Sequence, residues 1–262
     1  SMRNKDNMRI SLSLNKSVEE NAARYFEKAK KDRQKLQGTR DALQTSRKKL
    51  TSYRKAEKPL ARTESRLKKR RWYEKFRWFY SSQGMLVLGG RDSTTNEILI
   101  KKHAEKDDLV FHTDMAGSPF FVVKTEGKDP LESTMHEAAT ATAAYSRAWK
   151  LGLGRTDVFY VSPEQVSKQA KSGESLPKGA FMIYGKTNYL EHDMELAIGI
   201  AKDDGSVIGG PKEAIETHSE KAVLIVQGND KPSDAAKKIS SRIGGEIDEI
   251  IRFLPSGGCK VI

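Results

Sequence analysis

The hydrophobic pattern changes character along the chain. Residues 8–14, MRISLSL, alternate between apolar and polar and predict one short strand. Ser17 then stands where an N-cap would, with Glu20 three residues later as its capping-box partner. From there to Lys58 there is no proline and a single glycine, Gly38. Ala22, Ala29, Leu36, Leu43 and Leu50 recur at heptad spacing, while Arg33, Arg40 and Arg47 occupy the other seam position. A helix of about 40 residues spans about 60 Å. So thin an apolar seam predicts a helical arm or short hairpin in preference to a strong zipper. Pro59 breaks the pattern and suits a first helical turn, so a second helix is expected over residues 59–80.

Beyond Gly84 short apolar runs alternate with amphipathic ones. GMLVLGG, DLVFHTD, PFFVVK, TDVFYVS, AFMIYGK, MELAIGIA and AVLIVQG read as strands. Residues 94–103 read as a helix capped by Ser93. Residues 133–150 read as another, capped by Ser133 or Thr134 and closed by Gly152. PKEAIETH, PSDAAKKISSRI and EIDEIIRFL read as helices, and residues 163–179 as a loop with a basic tip. Without a βαβ rhythm, the expected class is α+β: a mixed sheet domain with flanking helices, preceded by a long basic helical (coiled-coil) arm. The expected division is an arm over 1–69, an α+β domain over 70–190, and a small α/β C-terminal extension over 191–262.

Charge sharpens this picture. The net charge is +12. Residues 1–80 hold 25 Lys and Arg against 9 Asp and Glu, residues 81–189 hold 13 of each, and residues 190–262 hold 9 against 13. The excess therefore sits at the N-terminal end, which points to a polyanionic partner. No apolar run approaches a membrane span. The lone cysteine, Cys259, excludes a disulfide framework and a cysteine zinc site. It is expected to be an incidental tail thiol in a reducing cytoplasm.

RRWYEKFRWFYSS, residues 70–82, concentrates rings and cations. On a helix Trp72, Phe76 and Phe79 share one face, with Tyr73 and Tyr80 at its edge, and are expected to pack in the core. Lys68, Lys69, Arg70, Arg71, Lys75 and Arg77 are left outward as candidate phosphate contacts.

Here the residues resemble a known family. KRRWYEKFRWFYSSQGMLVLGGRD, NEILIKKH, FHTDMAGSP, AYSRAWKLGLG and QVSKQAKSGESLPKGAFMIYGK are similar to the NFACT-R domain of NFACT proteins, over about residues 70–190. ENAARYFEKAKK resembles the end of that family's coiled coil. GGPKEAI and DEIIRFLPSGG resemble an archaeal version of its C-terminal extension. The resemblance implies a ribosome quality-control factor that binds RNA, the large ribosomal subunit with its rRNA, and tRNA on stalled nascent chains. In the full-length family it also implies C-terminal alanine-type tailing. The region tied to tailing has no counterpart here, so this stretch is expected to bind and not to tail. No cofactor, metal or membrane is expected, since the residues offer no metal-ligand spacing and no membrane-length apolar run, and coiled-coil self-association stays open.

Other constellations carry less. GGRD could aim backbone amides and Arg91 at an anion, or could be a glycine turn. His112 and Asp114 sit two apart on a strand, suited to hydrogen bonding, RNA contact or, least of all, catalysis or a metal. Lys168 and Lys171 lie on the basic loop beside Ser167 and Ser172. A Ser167–His112–Asp114 triad is set aside as geometrically strained. Three readings remain: a non-catalytic RNA-binding module, a protein-interaction scaffold, and a nucleic-acid-processing enzyme built on His112, Asp114 and Arg91. RNA against DNA stays open, because phosphate contacts alone do not separate them.

Overall fold

The computed structural model describes residues 11–56, 71–169 and 176–262. The chain divides into two compact units, Ser1–Lys68 and Lys69–Ile262.

The first unit is built on helix α1 (Val18–Ala56). Its capping box forms as the sequence predicts: the Glu20 N–H donates to Ser17 Oγ at 3.2 Å, and the Ser17 N–H to Glu20 Oε2 at 2.8 Å. The strand expected over residues 8–14 does not form across 11–14, and 8–10 lie outside the described residues. Side chains of α1 satisfy this backbone instead. The Asn21 carboxamide accepts from the Ser13 N–H and donates to the carbonyls of Ser13, Lys16 and Ser17. The Tyr25 hydroxyl serves both the N–H and the C=O of Ser11. With those groups met locally, no partner strand is required. Leu36 and Leu43 of the heptad seam are exposed.

The second unit is α+β. In chain order it comprises β1 (Arg77–Tyr80), β2 (Leu86–Gly89), α2 (Ser93–His103), β3 (Leu109–Thr113), β4 (Phe121–Val123), α3 (Glu132–Ala144), α4 (Arg147–Leu151), β5 (Val158–Val161), β6 (Val166–Ser167), β7 (Met182–Ile183), β8 (Asn188–Leu190), β9 (Leu196–Ala201), β10 (Val207–Pro211), α5 (Lys212–His218), β11 (Ser219–Asp230), α6 (Pro232–Ile243), α7 (Ile247–Phe253) and β12 (Cys259–Val261). One antiparallel sheet has six strands in the order β1-β2-β4-β3-β5-β8, a second has four in the order β10-β9-β11-β12, and β6 pairs with β7. Helix α3 packs on β3, β4 and β5 of the first sheet and on β10 of the second. Its buried alanines, with no side chain beyond Cβ, let both layers approach closely.

The helix expected over 59–80 is corrected where it is described. Residues Trp72–Lys75 form one 3-10 turn, and Arg77–Tyr80 is a strand paired with β2 through a turn at Gly84 (φ +87°). Aromatic residues favour strands, and both Trp78 and Phe79 are buried, so β1 is covered on both faces. That double burial is why the rings fit a helical period equally well. Tyr73, Phe76, Trp78 and Phe79 are core, but Trp72 is 52% exposed and stacks on His103 with centroids 4.7 Å apart. The long helix over 133–150 also divides. Tyr145 ends α3, and the Ser146 hydroxyl caps α4 by accepting from the Ala148 N–H at 3.1 Å. Thr134 is no cap; its hydroxyl donates to Ser81 and Gln83 across the hairpin.

Strands β8, β10 and β12 lie in segments that the apolar pattern left unassigned. In β10 the weak strand formers Gly209 and Gly210 are needed because the rings of Phe253 and Phe79 fill the space of their side chains. Cys259 is not incidental. It is fully buried, burial pushes its thiol up to about 11, and the neighbouring Gly258 carbonyl accepts the Trp149 indole N–H at 2.9 Å.

Truncating a fully buried ring leaves a cavity, so Phe76→Ala should destabilise the second unit by about 3–5 kcal/mol. Trp72→Ala should stay within about 1 kcal/mol. Chemical denaturation of the two variants checks this, and equal losses would contradict the placement of Trp72. The Cys259 thiol should resist a maleimide at neutral pH until denaturant is added, as mass spectrometry would read.

Candidate nucleic-acid interface

A cleft of about 620 Å³ opens where β2 ends and β4 begins. Five cationic side chains line it: Arg77 from β1, Arg91 after β2, Arg147 and Lys150 on α4, and Lys178 on the loop before β7. Among the described residues, Asp92 is the one carboxylate in the lining. It is already engaged as the N-cap of α2, accepting from the Thr95 N–H at 2.8 Å, so Ser93 is the first helical residue and not the cap.

The inner arginines are held by backbone. Arg91 donates from Nη1 to the Arg252 carbonyl at 2.9 Å. The Arg77 guanidinium stands over the Tyr145 ring at 4.2 Å and reaches the Leu254 carbonyl at 3.5 Å. Tyr145 in turn donates to the Phe253 carbonyl at 2.7 Å. All three acceptors close helix α7, where carbonyls lack helical partners. Burial, with Arg77 and Arg252 nearby, brings the Arg91 pKa down to about 10, which still leaves a full cation at neutral pH. Burial lowers the Arg77 pKa too, against the opposing influence of Tyr145. The GGRD amides are not free for an anion: the N–H groups of Arg91 and Asp92 both donate to Thr95 Oγ1.

One wall of the cleft is aromatic. His112 stacks on Phe120 with centroids 4.2 Å apart, and Phe181 meets Phe120 edge-on at 5.5 Å. His112 donates from Nε2 to the Ser118 carbonyl at 3.2 Å. Burial lowers its pKa, so the ring is neutral at neutral pH. Asp114 does not share this site. It accepts from the Tyr189 hydroxyl at 3.1 Å and lines a separate recess with Arg155.

The loop carrying Lys178 and Phe181 is clasped to α2. Lys168 donates to the carbonyls of Pro177 (2.8 Å) and Ala180 (2.9 Å) and covers the Phe181 ring at 5.0 Å. Glu97 accepts from the Gly179 N–H at 3.0 Å and pairs with Lys101. Gly179 has φ +77°, and a side chain there would strike the Ser93 backbone. Lys168 thus braces the loop from behind. Lys171 lies outside the described residues, as do Lys68, Lys69 and Arg70. Arg71 donates to the Tyr73 hydroxyl at 2.9 Å and lies 3.9 Å from Asp203 and Asp204, away from the cleft lining. Lys75 sits beside His103 on the exposed Trp72 face. The sequence reading missed Arg147, Lys150 and Lys178. The signal for the first two was Ser146 as a cap, with cations three apart on one helix face. Among the described residues no group of three His, Cys, Asp or Glu side chains is placed to hold a metal ion, and no helix is long and apolar enough to cross a membrane.

Fold and cleft together define an α+β domain with a basic recess. Residues 75–185 match the NFACT protein RNA binding domain, and the chain belongs to the NFACT family. It is 42% identical over 201 residues to the archaeal Rqc2 homolog aRqcH of Methanocaldococcus jannaschii, covering 74% of this chain and 30% of that protein. Identity to the ribosome quality control complex subunit NEMF of Homo sapiens is 42% over 120 residues, covering 45% of this chain and 11% of that one. Among solved structures, the C-terminal part of the fibronectin/fibrinogen-binding protein from Streptococcus suis is similar with a TM-score of 0.40 and 18% identity, over 60% of this chain and 53% of that chain. These curated relatives are ribosome quality-control factors, and this chain spans less than a third of either.

The clasp generates a prediction. Lys168→Ala should speed amide exchange at Gly179 about tenfold, the scale of one lost hydrogen bond to a charged group. Unchanged protection would show that the loop is held otherwise. Glu97 is held down to about 2, chiefly by Lys101 and then by the Gly179 N–H. Its folded pKa is depressed, so its hold on the loop is complete above the ordinary carboxylate range and is lost only as pH falls toward about 2.

Proposed function

We propose that this chain is the RNA-binding part of a ribosome quality-control factor. It acts in the cytoplasm on the large ribosomal subunit, through rRNA and the tRNA of stalled nascent chains. The observation that carries the reading is the cleft. Among the described residues, five cations face one occupied carboxylate inside the stretch that matches an RNA-binding domain. Such an excess of positive charge in a recess attracts phosphate and releases counterions. The chain acts by binding and positioning, without turnover of its own, and in the full-length protein it supports C-terminal tailing of the stalled chain. His112 supports this role as a neutral aromatic wall turned to the Ser118 carbonyl, while Asp114 is turned to Tyr189.

The test is binding to tRNA and to purified large subunits across a salt series. Log affinity should fall linearly with log salt, with a slope of about −0.7 to −0.9 per phosphate contacted. Arg147 and Lys150 are exposed, so their joint reversal to Glu should leave the fold intact. It should reduce the slope by about two contacts and the affinity about tenfold or more. A flat slope, with the double variant unchanged, would favour the scaffold reading. Hydrolysis of the RNA by the chain would overturn the binding-only role.

A further inference from the structure

We infer that the inner end of the cleft holds the phosphate of one unpaired RNA nucleotide between the guanidinium groups of Arg77 and Arg91. This rests on the RNA-binding reading and narrows it to a ligand.

Arg91 Nε is buried and has no hydrogen-bond partner among the described residues. A buried charged donor left unmet is costly, and native structures retain few of them without a use. Arg77 faces the same cavity with an aromatic ring on one side and one long carbonyl contact at 3.5 Å. Arg252 adds a third guanidinium near Arg91, its own Nη2 donating to the Glu74 carbonyl at 2.7 Å. Three like charges are thus gathered while the nearby carboxylate, Asp92, is turned to Thr95. A phosphate offers the charge and the oxygen geometry that guanidinium forks match.

The surroundings specify more than phosphate. The volume of about 620 Å³ falls within the roughly 300–1,000 Å³ of ligand pockets. The two arginines are the more buried of its cations, and they hold backbone carbonyls of the chain itself. A duplex carries its phosphates on a convex outer surface and cannot present one so deep. An unpaired nucleotide can turn in, and its base then has the neutral His112 ring, Phe120 and Phe181 as an apolar wall. Exposed Arg147, Lys150 and Lys178 remain at the rim for neighbouring phosphates.

The experiment uses the whole chain. Melting temperature is compared with uridine 5′-monophosphate and with uridine at equal concentration. Anisotropy then measures a short labelled oligouridylate, with and without a 5′-phosphate, against a blunt RNA duplex of equal length and tRNA. The monophosphate should raise Tm and uridine should not, and the single strand should bind more tightly than the duplex. Arg91→Gln should weaken the single strand about tenfold while tRNA, which also uses the rim, loses less. Dependence on the 5′-phosphate would assign the site to a strand end, and independence to an internal nucleotide; either outcome supports it. The comparison of monophosphate with uridine on the unaltered chain stands even where Arg91→Gln fails to fold. Equal Tm values, with single strand and duplex bound alike, would overturn the inference. If tRNA still binds with a steep salt slope in that case, the inference falls alone; if tRNA does not bind, the RNA-binding reading falls with it.

Discussion

Three backbone carbonyls at the end of α7 organise the cleft. Arg252, Phe253 and Leu254 accept from Arg91, Tyr145 and Arg77, groups that lie more than a hundred residues earlier in the chain. Charged side chains are rarely buried without partners. Here the carbonyls satisfy part of each guanidinium and leave its charge uncancelled. A carboxylate in the same place would have neutralised the arginines and removed the reason for an anion to enter. The C-terminal segment therefore belongs to the floor of the site, and Gly209 and Gly210 let the Phe253 and Phe79 rings bring that segment close enough to serve.

The same economy of acids runs through the rest of the cleft. Asp92 is used to cap α2, and Glu97 to clasp the loop through Gly179 and Lys101. Asp203 and Asp204 lie beside Arg71, outside the lining. Residues 81–189 are neutral in sum, yet Glu97, Glu105 and Asp108 pair with Lys101, Lys124 and Lys168, while Arg91, Arg147, Lys150 and Lys178 line the cleft, so a basic recess forms within a balanced segment. A field of this kind depends on placement, which net charge does not record.

Much of the architecture was legible beforehand. The strands around DLVFHTD and TDVFYVS, an Ala-rich helix after residue 131, a helix end at Gly152, the Ser17–Glu20 capping box and the α+β class follow from local pattern. The long motifs carried the family resemblance, because they are the segments that build the hairpin, α4 and the clasped loop. The errors have a common cause. A strand buried on both faces shows no period of two, so β1 looked helical. Trp72 was placed inward by that helical period, and the 3-10 turn before β1 rotated it out onto His103. Strands β8, β10 and β12 lack a strong apolar run and are made by their partners.

By itself the sequence determined the class of fold, the long charged helix and the chemistry available: many cations, neutral aromatics and a single thiol. It also singled out Arg77, Arg91 and His112, though not as neighbours. Tertiary structure alone decided that these three share one cleft with Arg147, Lys150 and Lys178, that Asp114 stands apart, and that Lys168 braces a loop from behind. Local pattern fixes which face of an element is apolar. Which charges then converge depends on contacts between distant segments, and a one-dimensional pattern does not encode those distances.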